Sequence, residues 1–222
     1  MIQEIFRRIG VSSRIFVELG VGDGNENNTL YLVLSGWRGL WIEAGESDAA
    51  SIGQHFAPFI QSKQLTFLQN FVTRETINQV IGDSGFSGEI DLLSIDIDGN
   101  DYWVWEAISV VQPRSVVVEY NAVFRLPLAV VAEYDRDFAW NGTNYFGASL
   151  QALESLGSRK GFQLVGCSLS GANAFFVRHD LVRDRFCAPF TAENHFEPPR
   201  YGFCRIASMD MHPPGVGKYQ LQ

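Results

Sequence analysis

Short apolar runs alternate with longer amphipathic stretches through most of the chain. Each run is rich in β-branched or bulky side chains on both faces, which is typical of strands buried on both sides of a parallel sheet. Five strands are predicted in this part, at Arg14–Leu19, Gly39–Glu43, Leu65–Leu68, Ile90–Ile95 and Ser115–Tyr120. Helices are predicted between them, at Asn28–Ser35, Ser47–Gln61, Arg74–Ile81 and Asp101–Val110. This alternation with short connections indicates an α/β fold.

The pattern changes after residue 120. Residues 121–145 form a long connection rich in aromatic side chains, and connections of that length are usually lids or binding loops. A helix is predicted at Gly147–Lys160, and the strands predicted at Phe162–Gly166 and Ala174–Arg178 are close enough to pair as an antiparallel hairpin. The predicted fold class is therefore α/β, a Rossmann-like doubly wound sheet of about seven strands, mostly parallel with an antiparallel C-terminal hairpin strand.

Length and composition indicate one globular domain. The chain has 222 residues, of which 46% are hydrophobic and 19% are charged, so it can bury a core without disulfides or a structural metal. We predict a single domain over residues 1–222. It would begin with an amphipathic helix within residues 1–13 and end in an irregular tail at 187–222, where five of the eight prolines lie.

The number and spacing of the cysteines bear on the cellular compartment of the protein, and its net charge bears on the partners that it can bind. The three cysteines are odd in number and have no C-x-x-C spacing, which indicates a reduced, intracellular chain. No run approaches about 18 apolar residues and the N-terminus lacks the apolar segment of a signal peptide, so we expect a cytoplasmic protein without membrane insertion. The net charge of −8 argues against a nucleic-acid partner, because neutralising phosphates requires clustered Lys and Arg.

A glycine-rich loop, ELGVGDG from Glu18 to Gly24, follows the first predicted strand. Glycines let the chain turn tightly and let a ligand approach the backbone closely. The spacing is G-x-G-x-G, and Asn25 stands where a dinucleotide fingerprint requires a glycine. The carboxylates of Glu18, Asp23 and Glu26 would repel a pyrophosphate, whereas they would attract a ligand that carries an ammonium and a sulfonium.

The second predicted strand ends in Glu43, 19 residues after Gly24. A carboxylate at that position can accept hydrogen bonds from both hydroxyls of a ribose, as in other nucleoside-binding α/β folds. An acidic glycine loop combined with such a carboxylate predicts S-adenosylmethionine as the cofactor. A glycine-rich turn followed by a solvated glutamate is the alternative interpretation.

These motifs resemble those of class I S-adenosylmethionine-dependent methyltransferases. From about Arg14 to Arg178 the chain is similar to the FkbM-like and macrocin O-methyltransferase-like families, which methylate hydroxyls of sugars and glycosylated products. Those families often have an acid where this chain has an asparagine after the third strand. The cofactor contacts that we predict on this basis are Glu18, Gly20 and Gly22 at the methionine end, Asp23 in the loop, Glu43 at the ribose, Asn70 and Phe71 at the adenine, and Asp96 after the fourth strand.

Carboxylates also gather at the ends of the fourth and fifth predicted strands. Asp96 and Asp98 follow the fourth strand, and Glu119 and Asn121 lie at the end of the fifth. Hard oxygen ligands at adjacent strand ends are those that Mg²⁺ selects, although turn and cap formation is an alternative role. In the macrocin-type enzymes that the chain resembles, one acid after the fourth strand and two after the fifth hold a metal. Asp96 and Glu119 match two of these positions and Tyr120 occupies the third, for which either Asp98 or Asn121 would have to substitute. The predicted metal ligands are Asp96, Glu119 and Asn121.

Methyl transfer from a sulfonium to a hydroxyl requires an in-line arrangement and removal of the hydroxyl proton. We predict Asp98 and Asp96 as the catalytic residues, with Glu119 as a metal ligand or orienting group. Residues 121–145 would form an acceptor-side loop whose aromatic rings either stack on a sugar or simply cover the sheet. The predicted function is O-methylation of a hydroxyl of a sugar, glycan or glycosylated small molecule, with or without a divalent metal.

Two other functions and one other site fit parts of the sequence. An NAD(P)-dependent oxidoreductase is disfavoured by Asn25 and the acidic loop, whereas a catalytically silent S-adenosylmethionine-binding or scaffold protein would keep the loop without turnover. Cys187, His195, Cys204 and His212 recur at intervals of eight, nine and eight residues. Zinc ligands usually come in more closely spaced pairs, so a zinc site in the tail is disfavoured.

Overall fold

The computed structural model of the chain describes residues 1–200 and 212–222. In these residues the strands are β1 (Ile15–Leu19), β2 (Arg38–Glu43), β3 (Leu65–Gln69), β4 (Gly88–Ile95), β5 (Val111–Glu119), β6 (Val130–Ala132), β7 (Phe162–Cys167), β8 (Asn173–Arg178) and β9 (Tyr219–Leu221). Seven of them form one sheet in the order β3-β2-β1-β4-β5-β8-β7, and β6 pairs with β9 in a separate two-stranded sheet.

The pairing of the strands confirms the predicted fold class. β1 pairs in parallel with β2 on one side and with β4 on the other, β2 pairs in parallel with β3, and β7 pairs with β8 in antiparallel orientation. The order of the strands therefore reverses between β1 and β4, as it does in doubly wound sheets, where ligands bind outside the carboxyl ends of the strands at the reversal. All seven predicted strands are present. β5 begins four residues earlier than predicted. It contains Pro113, and a proline argues against a strand when only the sequence is known.

The helices are mostly short. They are α1 (Ile2–Ile9), α2 (Leu30–Leu34), α3 (Glu46–His55), α4 (Ala57–Gln61), α5 (Ile77–Asp83), α6 (Asp101–Ala107), α7 (Leu150–Arg159), α8 (His179–Val182) and α9 (Ala192–His195). The single helix predicted at Ser47–Gln61 is two helices, interrupted at Phe56. Pro58 explains the interruption, because it has no N–H to donate to the carbonyl four residues earlier and its ring clashes with that carbonyl, whereas it is tolerated in the first turn of α4.

The described chain divides into two compact units. The glycine-loop unit consists of Val11–Ile97 and Ala107–Val116, and the C-terminal unit consists of Met1–Gly10, Asp98–Glu106 and Val117–Gln222. Each unit has a buried apolar core: Phe16, Leu40 and Leu92 are among the core residues of the glycine-loop unit, and Val118, Leu153 and Phe176 among those of the C-terminal unit. The prediction of a single domain stays a prediction.

A buried carboxylate organises the amino-terminal end of β1 and β4 in the glycine-loop unit. Asp91 is fully buried on β4 and accepts hydrogen bonds from the backbone N–H groups of Ser12, Ser13 and Arg14, at 2.7–3.2 Å. The guanidinium of Arg114, on β5, lies 2.8 Å from it. Because three backbone donors and a cation converge on one side chain, Asp91 fixes the entry of the chain into β1.

The predicted loop at 121–145 and the predicted tail meet in the C-terminal unit. β6 lies inside the loop and pairs with β9 near the end of the chain, with Val131 opposite Gln220. The predicted irregular tail at 187–222 thus contains two regular elements in its described part, α9 and β9. No helix among the described residues combines the length and apolar character that crossing a membrane requires.

Candidate functional site

The glycine loop lies between the carboxyl ends of β2 and β4. Gly20 follows β1 with a φ of 71°, and its N–H donates to the carbonyl of Ile42 at 2.9 Å. On the other side, the N–H of Asp96 donates to the carbonyl of Leu19 at 3.1 Å. A Cβ atom at Gly20 would overlap the backbone carbonyl of Asp96. Position 20 therefore requires glycine both for its left-handed conformation and for the close approach of the two backbones.

Glu43, the predicted ribose ligand, is bound directly to this loop. Its Oε2 accepts a hydrogen bond from the N–H of Gly22 at 2.8 Å, and its Oε1 accepts from the N–H groups of Ala44 and Gly45, each at 2.8 Å. The N–H of Asn70 donates to the backbone carbonyl of Glu43 at 2.8 Å. A carboxylate has about four acceptor positions, so the half-buried side chain keeps one for a ligand hydroxyl.

Three further residues of the predicted cofactor set are exposed at this end of the sheet. Asp23 accepts hydrogen bonds from the side-chain amide and the backbone N–H of Asn25, both at 2.9 Å, and these bonds lower the pKa of Asp23. Asn70 is exposed, and the Phe71 side chain next to it is 50% exposed. An exposed aromatic ring offers a flat apolar surface to a purine base. The predicted adenine contacts of Asn70 and Phe71 stay predictions.

Glu18 lies beneath the loop. Its side chain is on β1 and only 1% exposed, and it accepts hydrogen bonds from the N–H of Asn28, the N–H and hydroxyl of Thr29, and the hydroxyl of Ser94. Burial raises the pKa of Glu18 to about 7, against the opposing effect of these hydrogen bonds. Its predicted contact with the methionine end stays a prediction, since all four bonds come from the protein itself.

Sequence reasoning missed the partners of Glu18. Ser94 is a polar residue in the otherwise apolar end of β4, and Trp41 donates from its indole N–H to the hydroxyl of Thr29 at 2.7 Å. Thr29 and Ser94 are both fully buried. The isolated serine in an apolar strand was the available signal, because a buried hydroxyl needs a partner and Glu18 lies on the neighbouring strand.

In the C-terminal unit, Asp98 and Glu119 come together. Asp98 is exposed and has a φ of 56°, and Glu119 is half-buried at the end of β5. Carboxylate oxygens of the two lie within 4.8 Å of each other. Two carboxylates this close favour a shared proton or cation between them, and hard oxygen ligands suit Mg²⁺ or Ca²⁺. Asp96, the other predicted ligand and catalytic residue, belongs to the glycine-loop unit and is half-buried at the end of β4.

The side chain of Asn121, the third predicted metal ligand, is hydrogen-bonded to backbone groups of the protein. Its side chain is fully buried, and its Nδ2 donates to the carbonyls of Asn144 and Phe146 at 2.9 and 3.1 Å. Its Oδ1 accepts a hydrogen bond from the N–H of Val123 at 3.2 Å. Both amide hydrogens and one oxygen position are therefore used in holding the ends of the loop together. The geometry gives the metal prediction for Asn121 no support.

The aromatic side chains of residues 121–145 pack mainly on rings outside the loop. Phe138 lies against Gly99, where a Cβ would overlap its ring, and it contacts Tyr145 with ring centroids 6.1 Å apart. Tyr145 in turn contacts Tyr219 at 5.0 Å, close to β6 and β9. Trp140 remains 38% exposed. The loop is thus fastened to the start of α6 and to the end of the chain, and its predicted stacking on a sugar stays a prediction.

The disfavoured zinc site in the tail involves two cysteines and two histidines. Cys204 lies outside the described residues. Cys187 is exposed, and the ring of His212 packs edge-on against Trp140 with centroids 4.9 Å apart. The described residues Cys187, His195 and His212 do not form a group of metal-ligating side chains.

Comparison with known proteins gives likenesses in structure alone. No protein-family model and no curated protein matches the sequence. Among solved structures, 211 chains match. The glycopeptide N-methyltransferase MtfA complexed with sinefungin is 15% identical, with 80% of this chain and 85% of that chain covered and a TM-score of 0.47. An S-adenosylmethionine-dependent methyltransferase from Clostridium acetobutylicum is 10% identical, with 80% and 89% covered and a TM-score of 0.48.

A third solved structure, StiE O-MT, is 13% identical, with 74% of this chain covered and a TM-score of 0.44. This chain spans 52% of that chain, about half its length. At these identities a reaction cannot be transferred from one protein to the other.

Proposed function

We propose that this chain is an S-adenosylmethionine-dependent O-methyltransferase that acts on a hydroxyl of a sugar, glycan or glycosylated small molecule. The observation that carries the proposal is the hydrogen bond between the N–H of Gly22 and the carboxylate of Glu43. It joins the glycine loop after β1 to the acid at the end of β2, next to the reversal of strand order where doubly wound sheets bind nucleosides.

The charges around the loop favour this cofactor over a dinucleotide. Asp23 and Glu43 flank the loop with carboxylates, which suit an ammonium and a sulfonium and repel a pyrophosphate. We infer that the ring of Phe71, which follows β3 and is exposed, covers the adenine. These are the features that distinguish the proposal from an NAD(P)-dependent oxidoreductase.

The chemistry requires a base at the acceptor. The cofactor supplies a methyl group on a positively charged sulfur. As the acceptor oxygen forms its bond to the methyl carbon, the carbon–sulfur bond breaks, its electron pair goes to sulfur and the hydroxyl proton must leave. We assign proton removal to Asp98, which is exposed and able to meet an acceptor, with Asp96 as a second candidate. A divalent ion such as Mg²⁺ at Asp98 and Glu119 would lower the pKa of the hydroxyl when bound.

Calorimetry with S-adenosylhomocysteine and with NAD⁺ tests the cofactor. We expect heat with S-adenosylhomocysteine and none with NAD⁺, and the reverse would favour the oxidoreductase.

A screen of glycoside and polysaccharide acceptors with methyl-labelled cofactor, with Mg²⁺ or with a chelator, then tests the reaction. Asp98→Asn should abolish labelling and keep the binding heat. Binding without labelling of any acceptor by the unaltered protein would favour the catalytically silent binder.

A further inference from the structure

Glu18 is a buried ionisable group to which the proposed reaction gives no step. It lies on β1, two residues before Gly20, and is 1% exposed. Protein groups donate all four hydrogen bonds that its carboxylate accepts in this conformation. Its position at the base of the loop nevertheless connects it to whatever the loop binds.

The carboxylate of Glu18 has every acceptor position filled. Oε1 accepts from the N–H of Asn28 at 2.9 Å and from the hydroxyl of Ser94 at 3.0 Å. Oε2 accepts from the N–H of Thr29 at 3.2 Å and from the hydroxyl of the same residue. Four donors on about four lone-pair positions fit the ionised form and leave no acceptor for a proton on Glu18.

The hydroxyl donors cannot reverse freely. Ser94 Oγ accepts a hydrogen bond from the side-chain amide of Asn28 at 3.1 Å, and Thr29 Oγ1 accepts one from the indole of Trp41 at 2.7 Å. Each hydroxyl therefore directs its own proton at Glu18. Protonation of Glu18 would displace at least one of these donors, and the displaced group would be buried without its partner.

The groups that face Glu18 are neutral. They come from the residues before α2 and from β4, and burial of the carboxylate raises the pKa of Glu18 to about 7. The ionisable groups on the neighbouring elements lie elsewhere: Tyr31 is 56% exposed on α2, Arg38 and Glu43 lie at the two ends of β2, Glu89 and Asp91 lie in the first half of β4, and Asp96 follows that strand. No cation compensates the charge of Glu18 among these contacts.

We propose that Glu18 is a positioning residue for the cofactor. In its ionised form it holds the segment that ends the glycine loop, at Asn28 and Thr29, and protonation releases that segment, so that cofactor affinity follows the charge of Glu18. The inference rests on the proposed function for the identity of the cofactor. The clamp itself involves only residues of the glycine-loop unit and can be tested without a ligand.

The ligand-free test follows the indole N–H of Trp41 by NMR between pH 5.5 and 8.5. Its resonance is assigned as the one of five that Trp41→Phe removes. We expect a single titration in the unaltered protein and none in Glu18→Gln. His55→Gln is the matched control, because it removes a different ionisable side chain of the same unit, one whose charge acts on Asp23. A resonance that does not move with pH, or that moves equally in Glu18→Gln, would overturn the proposal.

The ligand test measures the affinity for S-adenosylhomocysteine over the same pH range by calorimetry. We expect affinity to fall about tenfold for each pH unit below the pKa of Glu18, and to be weak and independent of pH in Glu18→Gln. Glu43→Gln should weaken binding at every pH and keep the slope. A flat profile in the unaltered protein contradicts the proposal. Failure to bind at any pH, with the Trp41 titration intact, contradicts the proposed function and leaves the proton-dependent clamp standing.

Discussion

Two buried carboxylates in the glycine-loop unit are held in opposite ways. Asp91, towards the amino-terminal end of β4, is bonded to three backbone N–H groups and to the guanidinium of Arg114 at 2.8 Å. Glu18, towards the carboxyl end of β1, is bonded to backbone N–H groups and hydroxyls but to no cation. A buried carboxylate that is paired with a cation is held in its ionised form, whereas burial without a cation favours protonation of the carboxylate. The carboxylate without a cation lies at the end of the sheet where ligands bind.

Removing the cation from the compensated pair should have the largest effect. In Arg114→Met, Asp91 keeps its backbone donors but becomes a buried charge without a counter-ion, so we expect the free energy of unfolding to fall by about 3–5 kcal/mol. Urea denaturation at pH 7 measures this. The double variant Asp91→Asn with Arg114→Met should recover part of the loss. If Arg114→Met were as stable as the unaltered protein, the contrast between the two carboxylates would be wrong.

The uncompensated carboxylate should reveal itself in the pH dependence of stability. The pKa of Glu18 rises from 4.5 in the unfolded chain to about 7 in the folded protein, so the folded state binds more protons between these values. Its contribution to stability is therefore complete below pH 4.5 and is lost as pH rises through 7, by about 3 kcal/mol in all. Urea denaturation at pH 5, 6, 7 and 8 should show this fall in the unaltered protein. Glu18→Gln should remove the Glu18 part of the slope, and an unchanged slope would contradict the assignment.

A third carboxylate, that of Glu43, tests the comparison through ligand binding, because it is half-buried and lies beside the glycine loop. Glu43→Gln keeps an oxygen acceptor and loses the charge, so we expect about tenfold weaker binding of S-adenosylhomocysteine, in the range of a charge-assisted hydrogen bond. Calorimetry at pH 8, where Glu18 is ionised, isolates this effect. Binding as tight as that of the unaltered protein would remove Glu43 from the cofactor site.

The smallest expected effect comes from the outer part of the Glu18 network. Trp41→Phe keeps an aromatic ring at a fully buried position and loses only the hydrogen bond to Thr29, so stability should fall by about 1 kcal/mol. Thermal unfolding at pH 8 measures it. Trp37→Phe is a suitable control in the same unit, since it removes a different buried indole. If the hydrogen bond to Thr29 contributes to stability, Trp41→Phe should lose more stability than Trp37→Phe.

Periodicity identified the strands because strands buried on both faces are continuous apolar runs, and all seven were predicted from those runs alone. Breaks caused by proline were harder to predict. Pro58 divides a predicted helix in two, whereas Pro113 lies inside β5 without ending it. The same residue type therefore had opposite consequences, since its effect depends on whether the missing N–H would have had a partner.

The candidate site was predicted unevenly for a related reason. Gly20, Gly22 and Glu43 were predicted because loop glycines and strand-end acids follow from local chain geometry, and in the structure the N–H of Gly22 donates to Glu43. The role of Asn121 in holding the loop ends was not predicted, because its partners Asn144 and Phe146 are more than 20 residues away in the sequence.

The sequence by itself determined the α/β architecture, the glycine loop and the excess of carboxylates among its candidate site residues, because these depend on side-chain periodicity, backbone conformation and residue type. Only the tertiary structure decided which carboxylate has a cation and which has not. Asp91 and Glu18 are both acids in apolar strands and look alike in the sequence. Their difference arises from contacts with Arg114 on one side and with Thr29 and Ser94 on the other, and only the folded chain brings those residues within hydrogen-bonding distance.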